Sequence, residues 1–161
     1  MFTIRPLQSN SIEEIQLVAS RMKLTLIDVM GDQKGSNFYS EEWLLDRVFW
    51  HVNLGSNAEI FLCTDESGNI VAQAIVRKEK ESDREFGYFS TIYVEPASRR
   101  KGAAKLLIAK VLEWCHSRNL PKIIYNTATN NTNMIALLQK YEFKIELEAE
   151  GMVQLVRRNK Y

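Results

Sequence analysis

The strongest constraint in this sequence is residues 86–115, where an apolar strand pattern gives way abruptly to a helical one. The apolar run ends at Pro96, three consecutive cations follow at 99–101, and Gly102 precedes the helical pattern. The N-terminus of a helix carries partial positive charge, so cations placed there are unfavourable unless something neutralises them. The arrangement therefore predicts that an anion binds at this turn.

A strand, a glycine-bearing turn and a helix N-terminus together form a binding site for phosphate groups. The N–H groups of the first helical turn have no partner within the helix and point outward. Gly102 lets a ligand approach the backbone without a Cβ in the way. Four side chains add positive charge, namely Arg99, Arg100, Lys101 and Lys105. The alternative, a solvated basic helix end, leaves the position of these cations unexplained.

Length and charge narrow the classes of protein further. With 161 residues, the chain is expected to form a single domain over residues 1–161. Its 21 basic and 20 acidic residues give a net charge of +1, which argues against a nucleic-acid binder. No apolar run reaches the about 18 residues of a membrane span. The first ten residues lack a secretory signal, and Cys63 and Cys115 have no metal-ligand spacing, so we expect a cytoplasmic protein with buried, reduced thiols.

Hydrophobic periodicity predicts a mixed α/β fold whose central sheet is largely antiparallel and flanked by helices. Ser11 and Ser40 are the expected N-caps of the first two helices. The polar residues 30–40 are predicted to form a surface loop, and residues 78–84 a solvated hairpin end. Strands are predicted at 2–7, 59–64, 70–77, 86–94, 122–127, 143–148 and 152–157, and helices at 11–22, 41–52, 100–117 and 131–141.

Two segments resemble one known family. Residues 99–104, RRKGAA, are similar to the Q/R-x-x-G-x-G/A signature of the GCN5-related N-acetyltransferases (GNAT), and they follow a strand ending in Val-Glu-Pro as in that family. The second family segment, an Asn before a short helix that ends in Gly-Phe, resembles residues 131–143, although Glu142 stands where the family has Gly. The element order agrees over most of the chain. The resemblance implies the acyl-CoA N-acyltransferase fold.

The resemblance also implies acetyl-CoA as the acyl donor. Its pyrophosphate would lie on the backbone amides of residues 100–104, and its pantetheine arm would pair with strand 86–94 as an added strand does. In the family this strand and the next one splay apart to admit the arm. The cofactor-binding residues implied in this way are Ile92, Val94, Arg99, Arg100, Lys101, Gly102, Ala103, Ala104, Lys105 and Asn131.

For catalysis, the resemblance implies that the backbone N–H of Ile92 polarises the acetyl carbonyl. Strand alternation predicts that Tyr88, Ser90 and Ile92 share one face of the strand. Relatives carry a Glu or His base at the positions of Tyr88 and Ser90; here these two residues would hold a water chain that relays the proton to Glu85 or Glu95. Tyr88 could equally be an aromatic core residue.

The family's usual proton donor, a Tyr five residues before the final Phe, is Leu138 here. Tyr141 lies on another side of the same helix, and Tyr125 is the candidate substitute.

The amine acceptor is expected to bind at residues 23–54, which are rich in aromatic side chains: Phe38, Tyr39, Trp43, Phe49 and Trp50. Of these, Trp43 and Trp50 are expected to pack the second helix together with Val48. His51 is expected at the surface or in a cap, His116 at a helix C-terminus, and no metal site is predicted.

Two functions remain open from the sequence. The first is an N-acetyltransferase that moves an acetyl group from acetyl-CoA to a primary amine, of a small molecule or a peptide, by direct transfer in a ternary complex. The second is a catalytically degenerate module of the same fold that binds acyl-CoA as a sensor, which the missing Tyr at Leu138 favours. Neither nucleic acid nor a membrane is expected as a partner. Relatives are often homodimers, so a homodimer is also considered.

Overall fold

The structure is a computed structural model that describes residues 1–159. Seven strands form one sheet in the order β1-β2-β3-β4-β5-β7-β6, and its only parallel neighbours in the described chain are β4 and β5. This confirms the predicted mixed, largely antiparallel α/β fold. The elements are β1 (Thr3–Pro6), α1 (Ile12–Met30), α2 (Asp32–Phe38), α3 (Glu41–Asn53), β2 (Ala58–Thr64), β3 (Ile70–Glu81), β4 (Arg84–Val94), α4 (Ala103–His116), β5 (Lys122–Ala128), α5 (Thr132–Lys140), β6 (Lys144–Ala149) and β7 (Met152–Arg158).

Helices cover the two faces of the sheet unequally. On one face, α4 and α5 pack through Leu107, Val111 and Leu138 against the sheet residues Phe89 and Ile123. On the other face, α1 and α3 form a smaller core with β2 and β3, whose buried side chains include Ile15, Val18, Leu44, Val48, Ile60, Leu62 and Ile75. We call these the α4 face and the α1 face. Among the residues that the structure describes, this smaller core contains none from β5, β6 or β7.

Helices α1 and α3 begin at the predicted N-cap residues. The Ser11 hydroxyl accepts a hydrogen bond from the N–H of Glu14, and the Ser40 hydroxyl accepts one from the N–H of Trp43. Each bond satisfies a helical N–H that has no partner within its own helix. Within residues 1–159, no helix combines the length and the apolar composition needed to cross a lipid bilayer.

The predicted loop at residues 30–40 is wrong, as is the predicted end of α1 near Met22. The first helix continues to Met30, and residues 32–38 form the short helix α2, which packs against it. Gly35 is a buried contact point rather than a turn residue, because a Cβ at this position would lie 2.5 Å from the Cα of Ile27. The glycine and polar residues that suggested a loop therefore allow two helices to approach each other closely.

The charged residues 78–84 also differ from the prediction. They extend β3 to Glu81 and begin β4 at Arg84, so the hairpin turn contains only Ser82 and Asp83. Both have positive φ, 49° and 64°, which is the backbone of a type I′ turn. The twist of this turn matches that of the paired strands, so the ladder continues to the end of the hairpin.

The close contact at Gly35 predicts that Gly35→Ala destabilises the protein, although alanine is the better helix former. Helix propensity alone would stabilise the protein by about 1 kcal/mol, whereas forcing a Cβ against the backbone of α1 should cost about 1–3 kcal/mol. We expect a net loss of unfolding free energy in urea titrations. Asn37→Ala, at an exposed position of the same helix, is the control and should be neutral or stabilising. A stabilised Gly35→Ala variant would contradict the close packing of α2 on α1.

Candidate active site

The parallel strands β4 and β5 are paired for only two residues and then separate. Their ladder contains Gly87 opposite Ile123 and Tyr88 opposite Ile124, although β4 continues to Val94 and β5 to Ala128. Beyond this pair, the edge of β4 that faces β5 has no strand partner, and buried backbone groups of this kind require another source of hydrogen bonds. The separation creates a slot whose unpaired edge can accept an extended chain.

A cavity of about 710 Å³ occupies this slot and extends to the N-terminus of α4. Nine of the ten predicted cofactor-binding residues line it: Ile92, Val94, Arg99, Arg100, Gly102, Ala103, Ala104, Lys105 and Asn131. The tenth, Lys101, is exposed beside the cavity but does not line it. The size is within the range of cofactor sites, and the shape combines a slot between strands with a helix end.

The N-terminus of α4 has free backbone donors. The first N–H to bond within the helix is that of Leu106, which donates to the carbonyl of Gly102, so those of Ala103, Ala104 and Lys105 have no helical acceptor. No side chain caps this helix, in contrast to α1 and α3. The preceding backbone turns through Arg100 and Gly102, with φ of 63° and 97°. This geometry favours an anion at the helix end.

The charges around the cavity are predominantly positive. Among the described residues that line it there is one carboxylate, Asp28, against four cations: Arg99, Arg100, Lys105 and Lys140. Asp28 accepts a hydrogen bond from the Arg99 guanidinium at 2.8 Å, and both side chains are about half exposed. The cavity therefore carries an excess of positive charge suited to a polyphosphate.

Helix α1 forms a wall of the cavity that the sequence did not predict. Thr25, Asp28 and Val29 line the cavity, and the Asn130 side chain donates to the carbonyl of Val29 at 3.2 Å across its mouth. Lys140 of α5 also lines the cavity and was likewise not predicted from the sequence. These contacts join residues about 70 to 100 positions apart in the sequence, so no local spacing could indicate them.

Glu95 supports residues 95–102, which join β4 to α4 and which we call the β4–α4 loop, and it does not lie at the centre of the slot. Its carboxylate accepts hydrogen bonds from the buried Arg21 of α1, at 3.3 Å, and from the Ser98 hydroxyl, at 3.2 Å. Desolvation lowers the pKa of Arg21, although the charge of Glu95 works against that shift. The predicted role of Glu95 as the end of a proton relay from Tyr88 does not fit this position.

A β-bulge at Ser90 overturns the predicted alternation along β4. Phe89 and Thr91 pair with Val76 and Ile75, which are consecutive, so Ser90 is the extra residue. As a result, Ile92 joins Phe89 on the α4 face, in the core and against the cavity. Tyr88 is on the α1 face. The three residues predicted to share one face are therefore divided between two.

Tyr88 contacts a buried polar group on the α1 face. The Arg77 guanidinium carbon lies 4.4 Å from the centre of the Tyr88 ring, and its Nη1 donates to Nε2 of His51 at 3.0 Å. The Tyr88 hydroxyl accepts a hydrogen bond from Asn126 at 3.4 Å. Glu85, the other predicted relay residue, forms an ion pair with Lys78 near the start of β4 at 3.2 Å, away from these contacts.

The prediction that His51 lies at the surface or in a cap is wrong. It is 3% exposed, and Nδ1 donates to the carbonyl of Arg47 at 2.9 Å, which leaves Nε2 to accept from Arg77. Burial lowers the pKa of His51 to about 4, with smaller contributions from the charges of Arg77 and Arg47. The imidazole is therefore neutral at physiological pH and orients the Arg77 guanidinium. His116 is at the C-terminal end of α4, as predicted.

Tyr125 is in the slot just beyond the last β4–β5 pair. Its ring packs edge-on against Phe89 with a centroid separation of 5.0 Å, and it lines the cavity. Burial raises the pKa of Tyr125 well above its usual range, so the hydroxyl stays protonated. Leu138, at the position of the family's Tyr, is fully buried in the core. Tyr141 instead donates to the carbonyl of Lys105 outside the cavity, at 3.5 Å.

The sequence matches the family model described as the Acetyltransferase (GNAT) family over residues 25–143. The chain belongs to the GNAT family. That match covers both segments on which the resemblance was based. A search of curated proteins found no match.

Solved GNAT structures share the fold over nearly the whole chain at low identity. An acetyltransferase of the GNAT family from Streptococcus pneumoniae is 17% identical, with a TM-score of 0.73 and coverage of 99% of this chain and 100% of that one. The PaiA N-acetyltransferase from Thermoplasma acidophilum, in complex with coenzyme A, is 13% identical, with a TM-score of 0.75 and 99% coverage of both. A chain of the NatC complex bound to Gag peptide and CoA is 17% identical, with a TM-score of 0.77 and 99% coverage of both.

Membership of the GNAT family indicates an acyltransferase that uses a CoA-type co-substrate. The cavity has a composition compatible with such a co-substrate, because free amides and cations lie at one end and an unpaired strand edge at the other. The described residues contain no cluster of His, Cys, Asp and Glu that could hold a metal ion.

The buried His51 predicts a pH effect on the stability of this GNAT protein. The unfolded chain protonates His51 with a pKa near 6.5, whereas the folded chain does so only near 4. The unfolded state therefore binds more protons between these values, and stability falls by about 2 kcal/mol from pH 7 to pH 5. The unfolding free energy of His51→Asn, measured by urea titration, should fall less over this range.

The control is Val48→Ala, which destabilises the same helix α3 by truncating a buried side chain, removes no titratable group and should retain the wild-type dependence on pH. Equal pH dependence of His51→Asn and the wild type would contradict a neutral, buried His51.

Proposed function

We propose that this protein is an N-acetyltransferase that moves an acetyl group from acetyl-CoA to a primary amine, by direct transfer in a ternary complex. The observation that carries the proposal is the uncapped N-terminus of α4, which opens into the slot between β4 and β5. A pyrophosphate and an extended pantetheine arm require these two features, next to each other. Bound acetyl-CoA supplies an activated acetyl thioester.

The chain's residues fit this co-substrate at both ends. The N–H groups of Ala103, Ala104 and Lys105 would bind the pyrophosphate, with Arg100 and Lys140 as charged neighbours. Arg99 would exchange its exposed partner Asp28 for a phosphate oxygen at little cost, since an exposed ion pair contributes only about 0–1 kcal/mol. The unpaired edge of β4 and Asn131 would hold the pantetheine amides.

At the reacting centre, the backbone N–H of Ile92 would donate to the acetyl oxygen as it gains negative charge. Tyr125 would donate a hydrogen bond to the departing sulfur. Proton transfer from Tyr125 is unfavourable, because burial raises the pKa of its hydroxyl further above the roughly 8.5 of a thiol. The thiolate would leave hydrogen-bonded and unprotonated.

The amine would reach the thioester from the α1 face and lose its proton to water. Tyr88, Ser90 and Asn126 offer polar groups that can hold such a water. The one carboxylate among the described cavity residues, Asp28, belongs to the phosphate end and is paired with Arg99. In this proposal no side chain acts as a base with a pKa near neutrality.

The test is thiol release from acetyl-CoA in the presence of a panel of primary amines. We expect free coenzyme A, and a value of kcat/KM that rises about tenfold per pH unit between pH 6.5 and 8.5. An alkylamine has a pKa of about 10.4, so its neutral fraction grows by this factor when no enzymic base takes its proton. A plateau above pH 7 would reveal a side-chain base and contradict this mechanism. Coenzyme A binding without thiol release on any amine would instead favour the sensor function.

A second experiment tests the phosphate site. In Gly102→Val, the added side chain should obstruct the phosphates and remove most of the thermal stabilisation by coenzyme A, since that stabilisation depends on binding to the native state. Gly68→Val is a matched control, because both glycines have positive φ, 97° and 84°, with nothing within 4 Å of an added Cβ. Both variants should lose intrinsic stability, but only Gly102→Val should lose the response to coenzyme A. An unchanged response in Gly102→Val would refute this placement of the phosphates.

The partners we propose are coenzyme A and an amine, of a small molecule or a peptide. A cytoplasmic location is part of it, supported by the two buried cysteines, Cys63 and Cys115, which are free thiols as reducing compartments maintain them. A homodimer is also proposed, supported by the exposed apolar side chains Leu147 and Met152 on the neighbouring strands β6 and β7.

A further inference from the structure

We propose that the acceptor amine carries a carboxylate, and that Arg47 of α3 binds this carboxylate during acetyl transfer. The inference rests on the proposed acetyltransferase function and specifies its substrate class. It arises from an arginine that the core does not use and from an aromatic surface that leads from this arginine to Tyr88.

Arg47 is held between two tryptophans on the exposed side of α3. Its guanidinium carbon lies 3.8 Å from the centre of the Trp50 ring and 5.9 Å from that of Trp43. Tyr39 stacks on Trp43 with a centroid separation of 3.8 Å, which restrains that side of the site. The indole faces fix the plane of the guanidinium, so its N–H edge is preorganised for an acceptor.

The tryptophans do not pack α3 against the core as predicted. Trp43 and Trp50 are 41% and 38% exposed, whereas Val48 is fully buried. Of the predicted aromatic set, Phe49 packs partly into the core and Phe38 is exposed. A helix that leaves two tryptophans beside an arginine at the surface presents a recognition site, since contiguous apolar exposure of this kind is uncommon without a partner.

Arg47 has no ion pair or hydrogen bond from its side chain to any residue in the range 1–159. The carboxylate that contributes most to its electrostatics, Glu79, is already paired with Arg77 at 2.5 Å. Desolvation and the charge of Arg77 both lower the pKa of Arg47, which means that its positive charge is held at a cost. A ligand carboxylate would remove that cost.

The same surface extends to β4 at the position where its pairing with β5 ends. The centre of the Trp50 ring lies 3.8 Å from the guanidinium carbon of Arg47 and 5.2 Å from that of Arg77, and Arg77 lies over the Tyr88 ring. Tyr88 marks the last residue of β4 that pairs with β5. An acceptor whose carboxylate is bound at Arg47 can therefore direct its amine along Trp50 towards the thioester.

The charges favour this class of acceptor over a polyamine. Arg47 and Arg77 have Glu79 as the one carboxylate that acts on both within residues 1–159, so together they repel a second ammonium group. A planar guanidinium instead binds a carboxylate through two parallel hydrogen bonds. The Trp50 indole already covers one face of the Arg47 guanidinium at 3.8 Å, so the N–H edge is the part of this group that remains for an anion.

The experiment compares straight-chain ω-amino acids, from three to six carbons, with their carboxamides as acetyl acceptors for the full chain. At the best chain length, the wild type should prefer the acid by at least about tenfold in kcat/KM. In Arg47→Gln, the ratio of acid to carboxamide should approach one, and Arg47→Lys should keep part of the preference. Arg118→Gln is the matched control, because Arg118 also stacks on a tryptophan, at 3.8 Å from Trp114, on the other side of the sheet.

Binding distinguishes this inference from the proposed function. Trp43 and Trp50 report occupancy of the site, so the tryptophan fluorescence is titrated with 6-acetamidohexanoate and with its carboxamide. Transfer to amines with no preference for the acid, or a preference that persists in Arg47→Gln, overturns the inference and leaves the acetyltransferase intact. Carboxylate binding that depends on Arg47 without thiol release on any amine supports the site and refutes the transfer. If neither carboxylate binding that depends on Arg47 nor thiol release is observed, both the inference and the proposed acetyltransferase function are overturned.

Discussion

The separation of β4 and β5 after Tyr88 is the constraint on which the site depends. Two parallel strands that stayed paired would satisfy their own backbone groups and leave no space between them. Here the pairing ends after two residues, β4 keeps an unpaired edge, and Tyr125 moves into the gap. The strand also ends directly before the turn to α4, so the free edge and the free helical amides face one cavity. Neither feature alone would accommodate a long nucleotide thioester.

Helix α1 holds the β4–α4 loop through two ion pairs of different burial. Arg21 is buried, so losing its partner Glu95 would leave a cation shielded from water with only the Ile70 carbonyl as acceptor among the described residues. Arg99 and Asp28 are half exposed, and their pair contributes little. The Arg21–Glu95 pair can therefore anchor the loop while Arg99 exchanges Asp28 for a ligand. The loop stays in place, and one of its cations remains available for binding.

On the α1 face, a neutral histidine controls the arrangement of the charges. Nε2 of His51 can accept a hydrogen bond from Arg77 only while the ring is unprotonated, and its low pKa ensures this at neutral pH. Arg77 is thereby fixed over Tyr88, with Glu79 as its counter-ion. Arg47 has no carboxylate partner within residues 1–159. Its side chain is only partly buried, so it stays accessible to solvent.

The sequence by itself determined the strands, most of the helices, the caps at Ser11 and Ser40 and the start of α4 after Gly102, because periodicity, capping and turn chemistry act over a few neighbouring residues. Only the tertiary structure decided the helical state of residues 32–38, the division of β4 at Ser90 and the burial of His51. Each of these depends on packing between elements or on strand register. A glycine can serve as a close contact between two helices instead of a turn, and one extra residue in a strand moves the side chains after it to the opposite face of the sheet. Local sequence patterns do not reveal either feature.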